Sequence, residues 1–431
     1  MRMPLLDRAF YLLDSARSPQ DFTLILHLND APEVDRFYAG AKSAMNRFPM
    51  SACCVDGQEW MWRGNKDFNL EIETTASAIE RFIDEPFDLR RQPPVKQILS
   101  LDGGARLATR FHHSAADGLS AALWIGHQLN VAYGLEAAQS ERGEFNGLAL
   151  RRLPASVRRS QFAFDGASDR LWTETSRRSG ARRWLTIGFQ ATELQKLCRR
   201  AGGFTYNDLL ATCTLEVLRR WNADHGRPRS AVPTNGSREI NKHGRDCRGG
   251  TPWPPVVSQS KIGLWMPMNV RRKTAEGFGN GTSRIRVYAR YDPDAGLIEK
   301  CREVRRQVSW SSEHGEWVVP EIPLFTRLPR PIITPLLRGY LNRASVDMAT
   351  AVFSHAGSVM ANACEAFKHV ERIESVGLLH PRQSLAINAA THHGHTWLTL
   401  TYDPALLTTD DAKELSRLYE QQIALAYESL Y

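Results

Sequence analysis

Two adjacent histidines, His112 and His113, precede Ser114-Ala115-Ala116, and Asp117-Gly118 closes the run. A neutral imidazole, with an ordinary pKa of about 6.5, can take a proton from an alcohol, amine or thiol near neutral pH. A base of this kind typically contributes about 100- to 10,000-fold in rate. The small residues behind the pair leave space for a substrate, and a buried Asp117 can lock the loop. The plainer reading of a lone histidine is a core ring bonded to a backbone carbonyl. His112 is read as a packing or positioning residue and His113 as the base.

Other clusters are weaker. Thr391-His392-His393-Gly394-His395 offers three imidazoles. Adjacent histidines rarely converge on one ion, and no matching carboxylate or cysteine spacing accompanies them, so the run reads as a turn between two strands. The seven cysteines, at 53, 54, 198, 213, 247, 301 and 364, include no CxxC pair. They read as reduced thiols of a cytoplasmic protein, with Cys213 in a core. Neither a metal nor a prosthetic group is expected.

The elements around the histidines are those a positioned base needs. Segments 95–101 and 105–111 read as strands about an Asp102-Gly103-Gly104 turn. The second strand runs straight into His112, and a helical pattern starts after Gly118. Upstream, 5–14 and 33–48 read as helices and 22–28 as a strand. Residues 136–182 are polar and arginine-rich and read as a crossover between an N-terminal lobe (1–135) and a C-terminal lobe (183–431). In the second lobe, strands are expected at 184–189, 262–268, 283–290, 384–389 and 396–402. Helices are expected at 192–201, 205–222 with Thr205 as N-cap, 295–312, 331–343 and 410–429. Residues 223–260, with Gly249-Gly250-Thr251-Pro252-Trp253-Pro254-Pro255, read as a long loop or lid.

Composition sets the outer bounds. The chain has 431 residues, 42% hydrophobic and 24% charged, which suits a soluble protein of about two to three domains. The excess of 55 basic over 47 acidic residues favours an anionic partner: a nucleotide-bearing thioester, an acidic carrier protein or an anionic membrane surface. No zinc finger or RNA-binding aromatic signature occurs, which argues against nucleic acid. Asp7 and Asp14 interrupt the apolar N-terminus, a poor signal peptide, and no run of about 18 apolar residues occurs. A monomer or weak dimer is expected.

The run HHSAADG fits HHxxxDG, and the chain resembles the condensation-domain and acyltransferase superfamily. Three further stretches resemble its wax ester synthase/diacylglycerol acyltransferase and polyketide-associated members. These are Thr205-Tyr206-Asn207-Asp208-Leu209-Leu210-Ala211, Met266-Pro267-Met268-Asn269-Val270-Arg271 and Gly277-Phe278-Gly279-Asn280-Gly281. The last also echoes the DFGWG motif of condensation domains but lacks its Asp and Trp. The resemblance implies an α/β fold of two chloramphenicol-acetyltransferase-like lobes, each a mixed open sheet with helices, set in a V with an interface tunnel.

It also implies acyl transfer from acyl-CoA or an acyl-carrier protein to a small alcohol or amine, without a covalent acyl-enzyme. His113 would be the base. Asp117 would be structural and pair with Arg271. Asn207, Asn280 and Ser354 would be candidates for substrate contact or support. Ser354, in a Ser354-His355-Ala356-Gly357 run similar to a donor-side segment, could assist the oxyanion. The Gly118 N–H, at a helix start, could also bind it. CoA or a phosphopantetheinyl carrier enters as co-substrate. A freestanding condensation enzyme forming an amide, a lipid-surface enzyme and a non-catalytic carrier-binding scaffold remain alternatives.

Overall fold

The structure is a computed structural model. It describes residues 3, 5–30, 32–57, 59–64, 68, 70–75, 77–135, 143–144, 168–175, 177–226, 261–271, 277–315, 328–342, 349–357, 364–380 and 382–431. Most of the crossover read at 136–182, and the loop read at 223–260 from residue 227 onward, lie outside the described residues.

In chain order the first half contains α1 (Leu5–Leu13), β1 (Asp21–Leu28), α2 (Val34–Arg47), β2 (Cys53–Asp56), β3 (Glu59–Trp62), β4 (Leu70–Glu73) and α3 (Ala78–Asp84). It continues with β5 (Val95–Ser100), β6 (Ala105–His112), α4 (Gly118–Ala132) and the short β7 (Gly143–Glu144). The second half contains β8 (Arg183–Gln190), α5 (Thr192–Ala201), α6 (Tyr206–His225), β9 (Gly263–Asn269), β10 (Gly277–Phe278), β11 (Thr282–Tyr288) and α7 (Leu297–Glu313). After these come α8 (Arg330–Asn342), β12 (Ala351–His355), β13 (Val370–Val376), β14 (Leu385–His392), β15 (His395–Tyr402) and α9 (Thr409–Leu430).

Two open mixed sheets result. One has the strand order β13-β1-β6-β5-β4 and the other β11-β9-β12-β14-β15-β8. Apolar faces explain the layering. The α2 and α4 helices bury Phe37, Ala41, Trp124 and Ile125 against Leu24, Leu26, Leu107 and Phe111 of the first sheet. The α5, α6, α7 and α9 helices bury Leu194, Leu215, Val304 and Tyr419 against Leu264, Phe353, Ile387 and Leu398 of the second. At about 25 cal/mol per Å2 of apolar surface, these two cores are the main favourable term in folding. No helix among the described residues is long and apolar enough to cross a membrane.

The β13 strand belongs to the first sheet, although it follows β12 of the second. It pairs antiparallel with β1, Thr23 opposite Val376 and Leu26 opposite Ile373. The chain then returns to the second sheet as β14. Residues after 183 therefore supply both sheets. Bonds from β13 to second-sheet side chains cross the same boundary. The Ser375 N–H donates to Thr399 Oγ1 at 3.2 Å, and Trp184 Nε1 donates to Glu374 Oε2 at 2.6 Å.

A buried ion cluster lies beneath the histidines. Arg110, on β6, donates through Nε and Nη2 to the two oxygens of Asp21 at 2.8 Å each. Arg182 donates to Asp21 Oδ1 at 2.5 Å and to the Asp21 carbonyl at 2.7 Å. Burial opposes ionisation of Asp21, but the two guanidiniums outweigh it and hold the carboxyl well below the usual range. Its native pKa lies below the unfolded value, so its contribution to stability is present above about pH 4 and lost as the pH falls. Asp21→Ala strands two buried cations. It is expected to cost about 3–5 kcal/mol in urea unfolding at pH 7. A loss under about 1 kcal/mol contradicts this role.

Candidate active site

The β6 strand ends at His112, and its antiparallel pairing to β1 continues into the loop. Asp21 faces His112, and the His113 N–H donates to the Gln20 carbonyl at 2.8 Å. The backbone of the base is thus fixed by the sheet. Its ring is fixed by aromatic neighbours: Phe10 stacks on it at 4.3 Å between centroids, and Phe22 meets it edge-on at 5.3 Å. Such contacts are each worth about 0.5–1.5 kcal/mol beyond burial.

Hydrogen bonds decide which ring nitrogen is free. Asn280 Nδ2 donates to Asp7 Oδ1 at 2.8 Å and to the His113 carbonyl at 2.7 Å. The His113 carbonyl can only accept, so the amide must present its Oδ1 to His113 Nδ1, 3.3 Å away. His113 Nδ1 therefore carries the proton, and Nε2 keeps its lone pair. Burial lowers the His113 pKa below its ordinary 6.5, against the opposing pull of Asp117, its own carbonyl and Asn280. The ring is accordingly neutral at pH 7.

His112 has the opposite tautomer. Its Nδ1 accepts from the Ser114 N–H at 3.1 Å, so its proton sits on Nε2, 3.6 Å from Asp14 Oδ2. This ring is fully buried and packs edge-on against Phe87. It shapes the loop and offers no free lone pair to a substrate.

Asp117 joins the two halves. Arg271 grips it with two 2.8 Å bonds, the Gly281 N–H and Thr282 Oγ1 donate to Oδ2 at 2.8 and 2.7 Å, and the Ser120 N–H caps Oδ1 at 3.0 Å. Arg271 Nη2 also reaches Ser120 Oγ at 2.9 Å and the Gly279 carbonyl at 2.6 Å. Burial raises the Asp117 pKa, but the Arg271 charge and these donors overcome it, and the net shift is downward. The carboxylate is thus occupied, and its role is to hold the α4 start against the segment that carries Asn280. Gly281 leaves room for the clamp: a Cβ there would lie 2.4 Å from Arg271 Cγ.

Gly118 opens α4, and a Cβ on it would meet nothing within 4 Å. The Asp117 cap takes the Ser120 N–H, which leaves the Gly118 and Leu119 N–H groups at the positive end of the helix. Asn207 and Ser354 belong to two other elements of the second half. Asn207 lies in the first turn of α6, beside a Thr205–Asp208 capping box that consumes the Asp208 carboxylate. Ser354 lies in β12 opposite Asn388. No described hydrogen bond joins either residue to His113. The 392–395 histidines form the expected hairpin turn, with His393 and Gly394 at positive φ (47° and 76°). No group of three metal-ligating side chains occurs among the described residues.

No family model and no curated protein matches the sequence. Solved structures match over its whole length. The first condensation domain of the CDA synthetase superposes with a TM-score of 0.64 at 13% identity, covering 100% of this chain and 96% of that one. The starter condensation domain of rhizomide synthetase, solved with C8-CoA and Leu-SNAC, gives 0.63 at 11%, covering 100% and 95%. The epimerization domain of tyrocidine synthetase B gives 0.59 at 12%, covering 100% and 98%. The chain has the condensation-domain fold.

Within that condensation-domain fold, sequence reasoning missed several residues of the site. Asp7 and Phe10 sit three apart on α1, so they share a helix face, and a carboxylate on an otherwise apolar face was the available signal. Ser120 and Thr282 looked like ordinary polar residues until the clamp placed them. His380 was also missed. The β13 pairing runs toward the His113 end of the first sheet, and His380 follows β13 by four residues. Its ring meets Trp265 edge-on at 4.9 Å, and its carbonyl accepts from Arg178 Nη1 at 2.8 Å. Burial, then the charges of Arg284, His113 and Arg178, push its pKa down to about 3.

Two outcomes follow. Gly281→Ala is expected to displace Arg271, lowering the melting midpoint by a few degrees (about 2–4 °C per kcal/mol for a domain of this kind). An unchanged midpoint contradicts the tight fit. Burial pushes the Asp7 carboxyl up to about 8, with the Asn280 bond opposing and the Asp117 charge adding. Its native pKa exceeds the unfolded value, so the native state binds more protons between about pH 4 and 8, and stability falls as pH rises there. Asp7→Asn should flatten that slope in thermal unfolding and be most stabilising at pH 8. A pH-independent offset contradicts it.

Proposed function

We propose that this chain transfers an acyl group from a thioester to a hydroxyl or amine acceptor, with His113 Nε2 as general base. The observation that carries this is the hydrogen bonding of His113 Nδ1, which leaves the Nε2 of a neutral, partly buried ring as the available base. Nε2 takes the proton from the acceptor as its oxygen or nitrogen attacks the thioester carbonyl. The new bond forms, the C–S bond breaks, and the imidazolium returns its proton to the leaving thiolate. The oxyanion between these steps needs donors, and the Gly118 N–H at the α4 start is the one supplied by this loop. The donor is acyl-CoA or an acyl group on a phosphopantetheinyl carrier, and the acceptor is a small alcohol or amine. Asp117 and Arg271 hold the geometry.

Amide formation between carrier-bound partners is the second reading. It is supported by the match to condensation domains, one of which was solved with both an acyl-CoA and a leucyl thioester. Acyl-CoAs and acyl-carrier proteins, offered with alcohols, amines and aminoacyl carriers, separate the two by intact mass of the products. In the productive pair, His113→Ala is expected to lose about 100-fold or more. Undiminished transfer by that variant would falsify the base assignment.

A further inference from the structure

We propose that Asp7 is a positioning residue: by holding Asn280 it fixes His113 in the tautomer that leaves Nε2 free to accept a proton. This rests on the reading of His113 as a base. The geometry is a chain of three side chains from three parts of the sequence. Asp7 Oδ1 accepts from Asn280 Nδ2 at 2.8 Å, and Asn280 Oδ1 faces His113 Nδ1 at 3.3 Å. The second Nδ2 hydrogen is bound by the His113 carbonyl at 2.7 Å. A flipped amide would set its oxygen against the His113 carbonyl, which has no hydrogen to donate, so the orientation with Nδ2 toward that carbonyl and Asp7 is the one that satisfies every group.

The amide has two anchors, and Asp7 is the one supplied by another element. Without it, Asn280 keeps only the His113 carbonyl. The amide can then turn its Nδ2 toward His113 Nδ1. A donor there favours protonation on Nε2, and an Nε2–H ring cannot take the acceptor's proton. The same α1 helix also supplies Phe10, stacked on the ring at 4.3 Å. One helix, a hundred residues upstream of the base, thus sets both the plane of the imidazole and its proton. The position also carries a cost: Asp7 is buried, and its described partner is the Asn280 amide rather than a cation. An apolar side chain would remove that cost but would also remove the anchor.

The test uses the full chain labelled with 15N-histidine, read by long-range 15N–1H correlation, with His113 assigned by loss of its signals in His113→Ala. The wild type should show the proton on Nδ1. Asp7→Leu should gain an Nε2–H population and lose on the order of tenfold in kcat with little change in KM. Asp7→Asn keeps an acceptor oxygen and should restore both. If Asp7→Leu does not fold, Asp7→Ala carries the same comparison. A wild-type His113 protonated on Nε2 overturns the proposal without any variant, and so does an unchanged tautomer in a folded Asp7→Leu or Asp7→Ala. The spectrum needs no substrate. An Nδ1–H ring in a protein that transfers no acyl group would therefore reject the proposed function while leaving the Asp7 assignment standing.

Discussion

An ionised carboxylate buried in a protein interior must be surrounded by donors, and Asp117 collects its donors from both halves of the chain. Ser120 comes from the helix that Asp117 itself caps. Arg271, just after β9, and Gly281 and Thr282, at the start of β11, come from about 150–165 residues later. The cost of dehydrating the charge is offset only when these groups meet at one place. The pairing therefore specifies how the first-half loop docks on the second-half strands, and with them Asn280 on His113. A base in the middle of a site shared by two sheets needs such a joint.

The two histidines show how one backbone can give two identical side chains different chemistry. His112 shares the Arg110 face of the strand, packs against Phe87, accepts from the Ser114 N–H and holds its proton toward Asp14. His113, one residue on, points the other way and donates from Nδ1. The alternation of a strand puts neighbouring side chains on opposite faces, and the hydrogen bonds on each face then assign the protons. The buried Arg110–Asp21–Arg182 cluster holds the strand from which both rings project.

Local patterns were legible in the sequence, and long-range pairings were not. The strands at 95–101 and 105–111 matched β5 and β6 within a residue because a glycine turn and period-two alternation announce them. Thr205 and the helix after it were legible because a capping box is a local device. The β13 strand was missed. Its sequence, VERIESV, alternates charges with apolar residues and becomes a strand by pairing with β1, some 350 residues away. Asp7 was seen only as an interruption of an apolar N-terminus, because nothing local shows that Asn280 will meet it. Asn207 and Ser354 were singled out by resemblance alone, and no described hydrogen bond joins either to His113.

The central claim is that a neutral His113 does the proton transfer. The pH dependence of kcat/KM for the productive donor and acceptor reports the free enzyme directly. Burial lowers the His113 pKa, so the base stays neutral, and the rate stays high, to a pH below the ordinary imidazole value. The account predicts a single acid limb with an apparent pKa under about 6.5 that vanishes in His113→Ala. A rate flat through that range, or an acid limb that survives the substitution unchanged, would contradict it.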